Sequence, residues 1–355
     1  MKSFKKILIV IINLIIIINI SFGYNKVLAN SELRISNGVP VRVSILFQTY
    51  DPYLSLVKQG FEEIQKKNEG KVEFTFYDCQ KSQSIQNQYI NSILNKGTAD
   101  LIFLNLVDES VYPAPSQSII NKIKEKNIPV VLFNREPLNI DVVRSYNKAY
   151  YVGTNPAEAG ILQGKILINA WNKDKAAIDK NGDNIMQFIM LMGPLNNLEA
   201  IGRTKYSVLT INDAGIATQE LASRVCNWEE QLAKDAMEQL FLQNGDKIEV
   251  VIANNDAMAI GAIEVLQKYG YNKGPGSKTI AVVGVDAIPE AQKLIKEGIM
   301  TGSVLQDAQA MAEATYDIGI NLVYGRPPLE GTPYKFDETG VAVRIPYKEY
   351  TGNNV

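Results

Sequence analysis

Short runs rich in β-branched and aromatic residues alternate with amphipathic stretches along nearly the whole chain, and this alternation constrains the fold more than any other feature. Val41–Phe47 reads as a strand, 54–65 as a helix, 72–77 as a strand and 84–94 as a helix. Leu101–Leu104 and Val130–Phe133 are almost continuously apolar. Strands buried on both faces show such runs, whereas half-solvated strands alternate apolar and polar residues. The pattern recurs at 187–192, Val250–Ala253 and 280–285, each followed by a helical segment. Strand–helix alternation of this kind predicts an α/β fold of parallel sheets covered by helices on both faces. The 355 residues suit two such domains. No low-complexity tether separates the halves.

Composition narrows the function. The chain has no histidine, which excludes any imidazole-dependent triad and any zinc site with a His ligand. Its two cysteines, Cys79 and Cys226, form no Cys-x-x-Cys pair and read as buried thiols. A net charge of −2 gives no electrostatic footprint for nucleic acid. Lys2, Lys5 and Lys6 precede an apolar run at 7–22, and Val27-Leu28-Ala29 has the spacing of a cleavage site. Residues 1–29 therefore read as a signal peptide, or, uncleaved, as a membrane anchor through 7–22. Either places the body of the protein outside the cytoplasm.

Asp51, Asn134, the trio Asn254-Asn255-Asp256 and Asp286 each follow a predicted strand. Ligands of open parallel sheets bind outside the carboxyl ends of strands, but Asp and Asn there also cap the next helix. For Asp256 and Asp286 both readings stay open. Spread over both halves, these positions suggest a shared cleft. Gly276-Ser277-Lys278-Thr279 lacks the spacing and strand-to-helix context of a phosphate loop. No glycine-rich dinucleotide fingerprint and no nucleophile elbow is present, and no two carboxylates are marked as a glycosidase pair. The stretch from Asp179 to Gln187 puts oxygen side chains at positions 1, 3, 5 and 9 of a calcium loop: Asp179, Asn181, Asp183 and Gln187, with the Ile185 carbonyl at position 7. Asn184 stands where Gly is usual and tolerates left-handed backbone. Met190 replaces the bidentate Glu, so the loop alone reads equally as a hydrated hairpin turn around Asn181-Gly182.

Several blocks carry a resemblance. They are Val131-Leu132-Phe133-Asn134-Arg135-Glu136-Pro137, Ala149-Tyr150-Tyr151-Val152-Gly153-Thr154, the run from Lys247 to Ala259, and Gly284-Val285-Asp286-Ala287 with Pro289-Glu290-Ala291. From about Val41 to Tyr347 the chain resembles the bacterial D-galactose/D-glucose-binding proteins of ABC sugar uptake. The resemblance implies the type I periplasmic-binding fold, with two Rossmann-like parallel-sheet domains joined by a three-strand hinge. The expected lobes are 40–149 plus 306–337 and 150–305 plus 338–355. It implies a non-enzymatic receptor whose lobes close over D-galactose or D-glucose. Asp51, Asn134, Arg203, Asn255 and Asp286 match the family's sugar-contacting positions in type, with Tyr53 and Trp228 facing the two sides of the pyranose. Asn197, Glu199 and Gln306 depart from the family's His, Asp and Asn, and the segment before Trp228 also diverges. Glu249 matches the distant carboxylate that completes a structural calcium site. The implied partner is a membrane ABC permease, with a chemoreceptor or sensor kinase as the alternative, and the protein is expected to act as a monomer. A repressor of the same core fold would need a DNA-reading module where the apolar leader stands.

Overall fold

The computed structural model describes residues 38–108 and 114–352. The expected leader at 1–29, with its apolar run, lies outside the described residues. Among the described residues, no helix is long and apolar enough to cross a membrane. The first lobe runs β1 (Val41–Phe47), α1 (Pro52–Lys67), β2 (Val72–Asp78), α2 (Gln83–Lys96), β3 (Leu101–Leu104), α3 (Pro115–Glu125), β4 (Val130–Phe133), α4 (Asp141–Arg144) and β5 (Ala149–Gly153). The second begins with α5 (Pro156–Lys173), α6 (Lys175–Ile178), β6 (Ile185–Met192), α7 (Leu198–Asp213) and β7 (Ala217–Val225). It continues with α8 (Glu230–Asn244), β8 (Val250–Ala253), α9 (Asp256–Lys268), β9 (Ala281–Asp286), α10 (Pro289–Lys296) and β10 (Gly302–Leu305). The chain then returns to the first lobe with α11 (Ala308–Val323) and β11 (Ala342–Arg344), and ends in β12 (Lys348–Tyr350).

Two six-stranded sheets result, ordered β11-β5-β4-β3-β1-β2 and β12-β10-β9-β8-β6-β7. Among the described residues, the pairings between these strands are parallel except that of β12 with β10. The continuous apolar runs have the expected cause. Leu101 and Phe103 of β3 join one core with Phe61 of α1 and Ile318 of α11. Their neighbours Ile102 and Leu104 join the opposite core with Ile90 of α2 and Ile120 of α3. In the second sheet Val251 and Ala253 face one core, Val250 and Ile252 the other. Period-two alternation thus sends every side chain into an apolar layer. The helices start where local chemistry allows it: Pro52 opens α1 after Asp51, whose Oδ1 accepts from the Leu54 amide at 2.7 Å.

Two of the three lobe boundaries differ from the sequence reading. β5 pairs with β4 and β11 with β5, so 149–153 and 342–344 belong to the first sheet, and only β12 joins the second. The cause is tertiary. Tyr151 is fully buried in the first lobe, where its hydroxyl donates to the Asn134 carbonyl at 2.7 Å. The crossings therefore follow Gly153, Leu305 and Arg344. Arg344 braces the last of them with Glu136, 2.6 Å away, Asp337, 2.8 Å away, and the Thr154 carbonyl at 3.0 Å.

Candidate functional site

The carboxyl ends of the strands in both sheets look onto one cleft. All ten residues singled out for ligand contact line the same cavity of about 50 Å³. Through Gln48, Asp51, Arg135 and Trp228 it adjoins an outer cavity of about 600 Å³. At its mouth Lys81 of the first lobe is ion-paired with Glu229 of the second.

The two readings of the strand-end residues separate here. Asp51 does both jobs, capping α1 and lining the cleft. Asn255 caps α9 through the Met258 amide at 3.1 Å, and Asn197 caps α7 through the Ala200 amide at 3.0 Å, each while lining the cleft. Asp286 caps nothing; the residue before α10 is Ile288 and makes no side-chain cap. Asp256 neither caps its helix nor reaches the cavity.

Arg203 organises the floor. It is 4% exposed; Nη1 donates to the Asn254 carbonyl at 2.8 Å, and Nη2 to Gln306 Oε1 at 2.7 Å and the Tyr347 hydroxyl at 2.9 Å. Asp286 Oδ1 lies 3.9 Å from Nη1. Burial pushes the Asp286 carboxyl well up, against the pull of Arg203 and with the push of Asp256 and Asp51. Burial likewise raises Glu199, again opposed by Arg203. Three buried polar atoms here have no protein partner: Glu199 Oε1, Arg203 Nε and Gln306 Nε2. An unpaired buried polar atom is expensive, about 1–3 kcal/mol each, so an acceptor and two donors left unpaired on residues lining one cavity suit a polar guest.

Aromatic side chains come from both lobes. Tyr53, on α1, is 5% exposed and its hydroxyl sits 3.5 Å from Met311 Sδ. Trp228 follows β7 with φ at 70°, and Asn255 Nδ2 donates to its carbonyl at 3.3 Å. The indole lies against Gly193, where a Cβ would come within 2.3 Å of Trp228 Cζ2. Gly193→Ala therefore displaces the ring, with a penalty of about 1–3 kcal/mol from overpacking. In a Trp171→Phe background this shifts the Trp228 emission maximum and lowers the melting temperature. Unchanged emission and melting would mean that the ring is not held by this glycine.

Sequence reasoning missed Gln48, Arg135 and Tyr347. Gln48 immediately follows β1, so strand-end position could have marked it. Arg135 Nη1 donates to Gln48 Oε1 at 3.3 Å and also meets the Val107 carbonyl. Tyr347 lies on the last crossing and shares its hydroxyl with Thr154 Oγ1 at 2.8 Å. Nothing in its local sequence signals that.

The oxygen-rich loop lies apart from the cleft. It joins α6 to β6, a parallel strand, so the hairpin alternative falls away. Asn184 has the left-handed backbone expected of it, with φ at 64°. Glu249, far off in sequence, accepts from the Lys180 amide at 2.8 Å and the Gln187 amide at 3.0 Å. Asp183 accepts from Gln187 Nε2 at 2.7 Å and Asn181 Nδ2 at 2.9 Å. Among the described residues, no group of three His, Cys, Asp or Glu side chains is set to hold an ion by itself. An ion here depends on amide and carbonyl oxygens, which calcium accepts beside carboxylates. Two buried oxygens fit that need, since Asp179 Oδ1 and Gln187 Oε1 have no donor. Burial, with Asp179 and Asp183 nearby, raises the Glu249 carboxyl despite its two amide donors. Cys79 and Cys226 are free and buried, and burial pushes their thiols up to about 12 and about 11.

Two parallel α/β lobes linked by three crossings, with polar and aromatic groups of both closing on one cavity, define a cleft-binding receptor. Residues 43–327 match the periplasmic binding protein domain family, and the chain belongs to it. This is a family of binding proteins of transport, not of enzymes. The chain is 37% identical over 308 residues to the D-galactose/methyl-galactoside binding periplasmic protein MglB of Haemophilus influenzae, covering 86% of this chain and 88% of that one. Its fold is shared with an ABC transporter solute binding protein from Bacillus halodurans with bound myo-inositol, at TM-score 0.72 and 22% identity, covering 89% and 96% of the two chains. It is also shared with a periplasmic solute binding protein from Actinobacillus succinogenes with bound D-allose, at TM-score 0.70 and 18% identity, covering 88% and 98%.

Proposed function

We propose that this protein is an extracytoplasmic receptor that closes on one hexose of the galactose or glucose type and presents it to a membrane ABC transporter. The observation that carries this reading is that Glu199 Oε1, Arg203 Nε and Gln306 Nε2, all buried and unpartnered, belong to residues lining one cavity with Tyr53 and Trp228. A pyranose presents two apolar C–H faces and a rim of hydroxyls. Aromatic rings cover such faces, and ionised or amide side chains pair the rim with strong hydrogen bonds. Asp51, Tyr53 and Asn134 come from the first lobe, and Asn197, Glu199, Arg203, Trp228, Asn255 and Asp286 from the second. A sugar held by both sets stabilises the closed state by its differential affinity for it. The relation to MglB supports the hexose class.

Calorimetry against a panel of hexoses and pentoses tests the reading, with Trp228 fluorescence as a second readout. Trp228→Ala is expected to weaken binding by about 2 kcal/mol or more, as loss of an interface aromatic does. If no hexose at millimolar concentration changes the calorimetric trace, the fluorescence or the melting temperature, the sugar class is wrong. Asn197 and Glu199 set which hydroxyls are matched, because a buried group left unpaired costs about 1–3 kcal/mol. The Asn197→His, Glu199→Asp double variant is therefore expected to reorder the hexoses with little change in stability. An identical ranking would remove these two residues from the discriminating set.

The second part of the proposal is a structural calcium ion held by Asp179, Asn181, Asp183, the Ile185 carbonyl, Gln187 and Glu249. The donor-free oxygens of Asp179 and Gln187 support it. The ion would supply positive charge among carboxylates and tie the loop to β8. It has no part in sugar contact.

A further inference from the structure

Two residues outside the cavity govern the course of the chain at Asp286. β9 ends there in two consecutive residues with positive φ, Asp286 at 111° and Ala287 at 48°, although neither is glycine. Such backbone persists only where its surroundings hold it. The restraints come from Asp256, at the start of α9, and Ser303, on β10; both are fully buried. The Ser303 hydroxyl donates to Asp256 Oδ1 at 2.6 Å and accepts from the Ala287 amide at 3.1 Å. Asp256 Oδ2 accepts from the Ile288 amide at 2.9 Å. Both amides after Asp286 are thus pinned, one directly and one through the serine. The carboxylate occupies space left by Gly284, where a Cβ would come within 2.1 Å of Oδ1. Gly284 and Ser303 are register partners on β9 and β10, so the three residues form one unit beneath the cleft.

Asp256 also directly follows Asn255, a cleft residue on the neighbouring strand end. The same carboxylate therefore couples the places of Asn255 and Asp286, which come from different strands. We infer that Asp256 and Ser303 are positioning residues of the binding cleft, holding the left-handed turn that aims Asp286 at the ligand and fixes its spacing to Asn255. The part that concerns sugar rests on the hexose reading above. Neither residue touches the cavity; the sequence left Asp256 open between helix cap and cleft residue, and did not mark Ser303.

The test is calorimetry with D-galactose and D-glucose on the purified protein, its Asp256→Asn and Ser303→Ala variants, and each of these combined with Asp286→Asn. Alone, each substitution is expected to weaken binding at least tenfold. In the Asp286→Asn background it should weaken binding less than twofold further, because residues acting through one group are not additive. Binding within twofold of wild type in a folded Asp256→Asn or Ser303→Ala protein overturns the inference. So does an equal loss in both backgrounds, which would mean a general loss of stability. Ser303→Ala removes a single oxygen and keeps the test open should Asp256→Asn fail to fold. Crystal structures of the variants decide the matter without sugar: a turn relaxed toward negative φ, with Asp286 displaced, supports the inference, and an unchanged turn overturns it. A wild-type protein that binds neither sugar removes the hexose reading and leaves this structural outcome to decide.

Discussion

Arg203→Met is expected to abolish measurable sugar binding and to destabilise the second lobe by about 3–5 kcal/mol at neutral pH, the usual penalty for removing one member of a buried charge group. The guanidinium joins the Asn254 carbonyl of the second lobe to Gln306 and Tyr347 on the crossings, so its loss unties the floor from the hinge. Asp286 and Glu199, 6% exposed each, keep their burial and lose their nearest cation. Burial already raises both carboxyls, and removing Arg203 raises them further. A carboxyl whose folded pKa lies above its unfolded value of about 4 favours the protonated folded protein. Stability of the variant is therefore retained at mildly acidic pH and lost as pH climbs through the raised folded values. Melting temperatures of wild type and variant between pH 5 and 8 should diverge with rising pH. Parallel curves would show that Arg203 does not neutralise these carboxylates.

Chelation is expected to lower the melting temperature of the second lobe by roughly 5–10 °C, and added calcium to restore it. An ion at about a hundred times its dissociation constant contributes about 2.7 kcal/mol, and each kcal/mol moves a domain of this size by about 2–4 °C. Sugar affinity should change far less, because none of Asp179, Asn181, Asp183, Gln187 and Glu249 lines the cleft. Glu249→Gln keeps an acceptor for the Lys180 or Gln187 amide but removes the charge, so the calcium-dependent shift should vanish in it. A wild-type melting curve indifferent to chelator and calcium would leave the loop as a turn held by its own hydrogen bonds.

The site shows where local sequence stops being informative. Asp51, Asn134, Asn255 and Asp286 were legible because each stands just past a strand, and strand ends are where an open parallel sheet receives ligands. Asn197, Glu199 and Gln306 were legible only through the family's pattern, since nothing nearby marks them. Asp256 occupies the same kind of place as Asn255 and could not be told apart from it. Its role depends on Ser303, 47 positions away, and on the space left by Gly284.

The sequence by itself determined the architecture. Runs such as Val130–Phe133 have apolar residues on both sides of the strand, which a sheet covered on both faces buries, and the helices alternating with them make that sheet parallel. It also placed polar side chains at the strand ends and oxygens along the 179–187 loop. Tertiary structure decided the lobe boundaries, because β5 and β11 are assigned by the neighbours they pair with and by the burial of Tyr151. It decided too which polar atoms go unpaired and which strand-end carboxylate faces the cleft. Burial and hydrogen bonding between residues far apart in the chain set both, and no local pattern encodes those distances.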